Sequence, residues 1–201
     1  MVKVLIVGAN GFLGRHLALA CISRGWVVDV VINKSQDHLP PGINKVLSLS
    51  EAGDVGYSYI FNVAAYIPYG AYDVPDEQLT AVNVELPRQI HLRFPGAKVI
   101  YASTVGVYGQ MTGTINECSP SVLADLYGQS KLSGEEATAH HSHYAVVRFS
   151  SLYGRGMYGH TFLPNIVRDA KSKKTITLYG SGERKQNYLH ISDAAAYCIA
   201  A

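Results

Sequence analysis

Charge is scarce in this chain. Asp, Glu, Lys and Arg together make up 16% of 201 residues, and the formal net charge is +2. So small an excess leaves no electrostatic footprint for a nucleic acid. Cysteine is scarcer: Cys21, Cys118 and Cys198 are scattered without metal-ligand spacing. An odd, sparse set reads as free thiols in a reducing compartment, and no metal is expected. No stretch approaches the roughly 20 apolar residues that cross a bilayer. There is no internal repeat, low-complexity tract or clear linker. These absences point to a cytoplasmic chain with neither nucleic acid nor membrane as a partner. Hydrophobic residues, by contrast, make up 48%, which excludes disorder, and the length suffices for one domain with a sizeable core.

The start, MVKVLIVGANG, sets a lysine before an apolar run, but the run is short and ends in glycines. It suits a buried strand, Val2 to Val7, better than a signal peptide. A helical pattern follows from Phe12 to Ser23, with Gly25 ending it. Further strands are expected at Trp26–Ile32, Tyr59–Val63, Ala97–Ala102 and Tyr144–Phe149, with a short one at Lys45–Leu47 inside the loop from Asn33 to Ser50. Helices are expected at Asp76–Phe94, bent by Pro87, and at Ala124–His140, Leu163–Lys173 and Ile191–Ala201. Alternating strand and helix predict an α/β fold with a doubly wound parallel sheet, whose ligands sit at the carboxyl ends of the strands. The chain stops inside an apparent helix and reads as a fragment.

GANGFLG places Gly8, Gly11 and Gly14 between the first strand and the first helix. Glycine permits a tight turn and a close backbone approach to a pyrophosphate, and a helix N-terminus supplies free N–H groups and partial positive charge. Asn10, Phe12 and Leu13 complete this predicted cofactor loop. An acid about 20 residues on would grip a ribose 2′-hydroxyl. The second strand instead ends Ile32-Asn33-Lys34-Ser35, and Asp29 should lie within the strand. Asn33 and Lys34 are therefore the candidates at the ribose. Lys34 meets a 2′-phosphate, which leans toward NADP over NAD, or is simply a solvated lysine.

ADLYGQSKLSGEE sets Tyr127 and Lys131 four residues apart, on one helix face. They are either a packing pair or an acid/base tuned by a neighbouring cation. YASTVGVYG puts Ser103 and Thr104 at the carboxyl end of a strand, where a hydroxyl can hold a substrate oxygen or merely cap the strand. The order of GANGFLG, NVAA (Asn62–Ala65), STVGVYG, YGQSK and RFSSLYG (Arg148–Gly154) resembles the extended short-chain dehydrogenase/reductase family, the NAD(P)-dependent epimerases and dehydratases of nucleotide sugars. The resemblance covers essentially the whole chain. It implies a Rossmann-type domain over residues 1–153, then partial substrate-lobe elements and a returning helix over 154–201. It also implies Thr104, Tyr127 and Lys131 as catalytic residues, with Ser103 the fallback for Thr104. Asn62, Ala64, Ala65 and Asn83 join Tyr127 and Lys131 at the cofactor, and Tyr66, Thr104 and Ser151 contact substrate. A homodimer through the helices at 76–94 and 124–140 is implied as well.

On that reading Tyr127 takes a proton from a sugar hydroxyl as hydride leaves the same carbon, Thr104 orients the oxygen, and the Lys131 ammonium favours the phenolate. Returning the hydride on the other face gives an epimerase, and a single transfer gives an NADPH-dependent keto-sugar reductase. A non-catalytic dinucleotide-binding protein on the same fold is the rival from another class. The family's dehydratases place an Asp-Glu pair where Val105 and Gly106 stand, which argues against dehydration. Gln186, flanked by Arg184 and Lys185, replaces an arginine that nucleotide-sugar members set on the diphosphate, and Ser151 replaces a frequent asparagine. His140, His141 and His143 are expected as a solvated group at a helix end, and His190 as structural. Tyr66, Tyr69 and Tyr72 line a sugar site or cover the core edge.

Overall fold

A computed structural model describes residues 1–32, 38–53, 56–68, 77–157, 161–177, 180–183 and 185–201. The chain opens with β1 (Lys3–Val7), α1 (Phe12–Ile22), β2 (Val27–Val31), β3 (Lys45–Leu47) and β4 (Tyr59–Asn62). An irregular helical stretch follows: α2 (Glu77–Thr80), a π turn (Ala81–Glu85) and α3 (Leu86–Arg93). Then come β5 (Lys98–Thr104), a 3-10 turn (Val105–Tyr108), α4 (Leu126–Ala139) and β6 (Tyr144–Phe149). The remaining elements are β7 (Ser151–Tyr153), α5 (Phe162–Lys173), β8 (Tyr188–His190) and α6 (Ile191–Ala200).

Six strands form one parallel sheet in the order β3-β2-β1-β4-β5-β6. The chain winds one way from β1 to β3 and the other way from β4 to β6, so the order reverses beside β1. That reversal opens a crevice at the carboxyl ends of β1 and β4, where this class of sheet binds ligands. Alternate residues of β1 serve the two faces, as a strand buried on both sides requires. Val4 and Ile6 pack with Leu13 and Leu17 of α1 and with Ile191, Ala194 and Cys198 of α6. Leu5 and Val7 pack with Ile60, Val99 and the α3 end, Ile90 and Phe94. Burial pushes the Cys21 and Cys198 thiols up to about 12, so both stay protonated inside this core.

Several expectations shift on the structure. The strand expected to end at Ala102 runs on to Thr104, so Ser103 and Thr104 are its last two residues. The helix expected as one piece over 76–94 carries a π turn, with Pro87 in the first turn of α3 immediately after it. Proline has no N–H to give the carbonyl four residues back, that of Asn83, and its ring crowds that carbonyl. The Asn83 carbonyl instead accepts from Tyr101 Oη at 3.2 Å. The short pair β7–β8 has too few residues for a periodic signal and went unread. His141 is not solvated. It is 3% exposed, with Nε2 bonded to the Phe94 carbonyl at 2.9 Å and Nδ1 accepting from His143 N–H.

Candidate active site

The crevice begins with the turn after β1. Gly8 has φ +92, a backbone that an L side chain rarely adopts, and a Cβ there would lie 2.7 Å from the Ala64 backbone. A Cβ on Gly14 would lie 2.2 Å from the Gly8 carbonyl oxygen. Glycine at 8 and 14 therefore lets α1 and the loop after β4 close on the β1 turn. Gly11 is the N-cap of α1, with no side-chain cap and no acid in the first turn. The N–H groups of that first turn face the crevice mouth and favour an anion. Asn10 lies in the turn itself. Phe12 stands edge-on to His16, with the Arg15 guanidinium 5.5 Å over its ring. Leu13 is different from its neighbours, because its side chain is part of the buried core.

Asn62 ends β4, in register with Val7 of β1 and Tyr101 of β5. It is 1% exposed, and neither carboxamide atom has a hydrogen-bond partner. Ala64 presses on Gly8, Ala65 is exposed, and Tyr66 is held through its backbone. Asn83 does the holding: its Oδ1 accepts from Tyr66 N at 2.9 Å, and its Nδ2 donates to Tyr66 O at 2.9 Å and to Ser130 Oγ at 3.0 Å. The Asn83 amide is thus engaged with protein on every hydrogen and acts as a brace between the β4 loop and α4. Asn33, Lys34, Tyr69, Tyr72 and Arg184 lie outside the described residues. Asp29 sits inside β2 as expected, 1% exposed, bound by Asn44 Nδ2 at 2.6 Å, Tyr57 Oη at 2.8 Å and Lys3 Nζ at 3.3 Å. Its carboxylate serves the sheet and does not reach a ribose.

Helix α4 brings the remaining candidates together. Asp125 caps it, accepting from Gly128 N at 2.7 Å, which explains why the helix starts at Leu126 and not at Ala124. A Cβ on Gly128 would lie 2.5 Å from the Gly106 carbonyl oxygen. That close approach seats the turn carrying Tyr127 directly against the turn carrying Thr104. Thr104 Oγ1 accepts from Gly106 N at 3.1 Å and keeps its own proton to donate. Ser103, the fallback, points to the other side of the strand and donates to Glu135 at 2.5 Å. Ser151 opens β7, just past the end of β6, and its hydroxyl accepts from Gln186 Nε2. The structure therefore sets the α4 turn of Tyr127 against the turn after Thr104, with Lys131 one turn further along α4, and sets Ser151 in a polar pair with Gln186 on the β7–β8 side.

The electrostatics start from the phenol form of Tyr127. Burial first and the Asp125 carboxylate second push the Tyr127 phenol up to about 12. Lys131 does not hydrogen-bond it. The lysine is 1% exposed, its Nζ has no hydrogen-bond partner, and it rests 4.0 Å over the Tyr101 ring. Burial pulls it down to about 7, opposed by the Glu135 carboxylate. Tyr127 is therefore held as the phenol.

Do these residues fit a dinucleotide? The orphaned Asn62 carboxamide, the unpaired Lys131 ammonium, the uncapped start of α1 and two glycines whose Cβ positions are already taken by backbone all open on the same end of the sheet. Buried polar groups without partners are uncommon in folded proteins, and a ligand rich in hydroxyls and phosphate answers all of them. Two neighbours of the site were missed in the sequence, although both had a signal. Asp125 precedes a helical run, as capping residues do, and Ser130 lies between Tyr127 and Lys131 on the turn that meets Asn83.

Comparison with known proteins agrees with this fold. A UDP-N-acetyl-alpha-D-glucosaminuronate decarboxylase of Bacillus cytotoxicus is 28% identical over 228 residues, covering 99% of this chain and 70% of that protein. The fold superposes on MoeE5 in complex with UDP-glucuronic acid and NAD with a TM-score of 0.84, at 23% identity over 98% of this chain and 71% of that one. It superposes on a UDP-glucuronic acid 4-epimerase of Bacillus cereus, in complex with UDP-glucuronic acid and NAD, with a TM-score of 0.82, at 20% identity over 99% of this chain and 72% of that one. Residues 4–201 match the NAD dependent epimerase/dehydratase family. The chain belongs to that family.

Proposed function

We propose that this chain binds NAD(P) and oxidises and reduces a carbinol of a nucleotide sugar, inverting that carbon as an epimerase. The observation that supports the reading is the close approach of Gly128 to Gly106, which brings the α4 turn of Tyr127 against the turn after Thr104, with Lys131 buried and without a hydrogen-bond partner one turn further along. Complexes of two similar folds contain UDP-glucuronic acid and NAD, which supports the substrate class.

Gly8, Gly11 and Gly14 would hold the pyrophosphate against the start of α1, and Asn62 and Lys131 would take the ribose and nicotinamide end. Bound NAD(P)⁺ supplies a hydride acceptor. Thr104 Oγ1 donates to the substrate oxygen and fixes its distance from Tyr127. As a phenol, Tyr127 delivers a proton to the oxygen of a keto-sugar. To work in the oxidative direction it must lose that proton, and positive charge near the ring, from Lys131 and from the bound cofactor, lowers the cost. Val105 and Gly106 offer no carboxyl group for eliminating water, which favours inversion or simple reduction over dehydration.

The test is Tyr127→Phe, assayed with NAD⁺ and NADP⁺ against UDP-, GDP- and dTDP-sugars. Turnover is expected to fall at least roughly a thousandfold, while dinucleotide Kd stays within about twofold. Unchanged turnover removes Tyr127 from the chemistry. An epimerase consumes no net dinucleotide, whereas stoichiometric NADPH oxidation would assign the reductase.

A further inference from the structure

Behind the site lies a buried charged array that the chemistry above does not use. Glu135 follows Lys131 by one turn of α4 and is 8% exposed. Arg148 of β6 grips it from two sides, Nε donating to Oε1 at 2.9 Å and Nη2 to Oε2 at 2.6 Å. Ser103, next to Thr104 in β5, donates to the same carboxylate. The other limb of Arg148 donates to Tyr108 Oη at 2.8 Å and to the Glu117 carbonyl at 3.1 Å, with the guanidinium 4.8 Å over the Tyr108 ring. One carboxylate thus joins α4, β5 and β6 and, through the arginine, the turn that starts at Thr104.

Lys131 is short of partners. Tyr127 and Glu135 accompany it on its own helix, Tyr101 lies under it from β5, and Asn83 from the π turn is uncharged and already bonded to Tyr66 and Ser130. Tyr101 is itself pushed well above the phenol range, by burial first and by Tyr127 and Glu135 after it, so it supplies a neutral ring. Among these groups Glu135 carries the negative charge that opposes the desolvation of the ammonium. A carboxylate so placed does two things at once: it favours the charged lysine, and through Ser103 and Arg148 it fixes the helix carrying Tyr127 relative to the strand end carrying Thr104.

We propose that Glu135, locked by Arg148 and Ser103 one helical turn from Lys131, is a positioning residue that raises the ammonium share of Lys131 and registers α4 against the end of β5. Its catalytic consequence rests on the function proposed above; its test does not. Lys131 is followed in the isolated full chain by ¹³Cε NMR titration, its signal identified by its loss in Lys131→Met. In Glu135→Gln, which keeps the shape and an acceptor for Ser103, the midpoint of Lys131 is expected to fall by about one pH unit or more. Above both midpoints the ammonium fraction is then at least tenfold smaller. Glu135→Asp should restore part of the shift. The alkaline limb of kcat against pH moves in the same acid direction, because the ammonium is lost earlier as pH rises.

An unmoved midpoint in folded Glu135→Gln overturns the proposal and leaves the array as a structural ion pair. Should Glu135→Gln fail to fold because Arg148 is stranded, the Glu135→Gln/Arg148→Met double variant is compared with Arg148→Met, so that only residue 135 differs, and the midpoint is again expected to fall. A wild-type chain that turns over no sugar while the midpoint still moves would sink the proposed function and leave this inference intact. An active enzyme with an unmoved midpoint would do the reverse.

Discussion

Asn62→Leu should make the protein more stable and its dinucleotide site worse. The carboxamide is 1% exposed at the end of β4, and neither of its polar atoms is bonded. Burying an unpartnered amide costs about 1–3 kcal/mol by mutational measures, and leucine fills a similar volume without that penalty. In a chain of this length each kcal/mol moves Tm by about 2–4 °C, so the rise without ligand should be roughly 2–12 °C. If the carboxamide awaits a dinucleotide, one or two hydrogen bonds of about 0.5–1.5 kcal/mol disappear with it, and NAD(P)⁺ should bind roughly threefold to tenfold more weakly or worse. Both quantities come from one thermal-shift series against dinucleotide concentration, with Kd checked by calorimetry. A variant that melts lower than wild type, with undiminished ligand-induced shift, would show that Asn62 is satisfied by the fold and refute the reasoning.

Gly134→Ala should destabilise by about 1–3 kcal/mol, because the new Cβ would lie 2.2 Å from Tyr101 Oη and 2.3 Å from the Asn83 carbonyl oxygen; urea unfolding measures it, and a neutral result would mean that α4 rides further from β5 than described. Asp29 should give an acid-side stability slope. Burial raises its carboxyl, but Asn44, Tyr57 and Lys3 outweigh burial and hold the pKa below the ordinary value. The native state then stays ionised where the unfolded chain takes a proton, so this stability is present above about pH 4 and drains as pH falls through the lowered native value. Urea midpoints between pH 6 and pH 3 should fall less steeply in Asp29→Asn than in wild type, and equal slopes would dismiss the network as a source of stability.

Much of the fold was legible because a parallel sheet writes itself into sequence as short apolar runs, and VLIV of β1 and VVDVV of β2 are such runs. The glycine turn was legible for a related reason: its steric demands, met at Gly8 and Gly14, exclude other residues locally. What the sequence could not reveal depends on contacts made across the fold. The resemblance sets Asn83 at the cofactor; only the fold shows its amide engaged with Tyr66 and Ser130, residues 17 and 47 positions away in the chain. Pro87 promised a kink; the π turn before it, and the bond from Tyr101 to the Asn83 carbonyl, are visible only in the fold. The Tyr127–Lys131 spacing was right about a shared helix and silent about electrostatics. Helical periodicity places the two side chains on one face, while burial and Tyr101 decide where the ammonium rests.

Asp29 and Lys131 make the contrast that separates scaffold from chemistry in this chain. Each is 1% exposed and each is ionisable. Three partners on Asp29 use its carboxylate fully, so its energy is spent within the sheet and removing it should be felt as lost stability. Lys131 has an aromatic face, a carboxylate one turn away and no hydrogen-bond acceptor. A folded chain can carry such an ammonium, and beside it an unpaired Asn62, only at a standing cost of desolvation. A ligand that relieves both groups binds the native state alone and stabilises it by about 2.7 kcal/mol at a hundred times Kd. On the proposed function, the two orphans link cofactor occupancy to stability. A fold that satisfied them internally would be harder to unfold, and it would have no unsatisfied groups left with which to grip a dinucleotide.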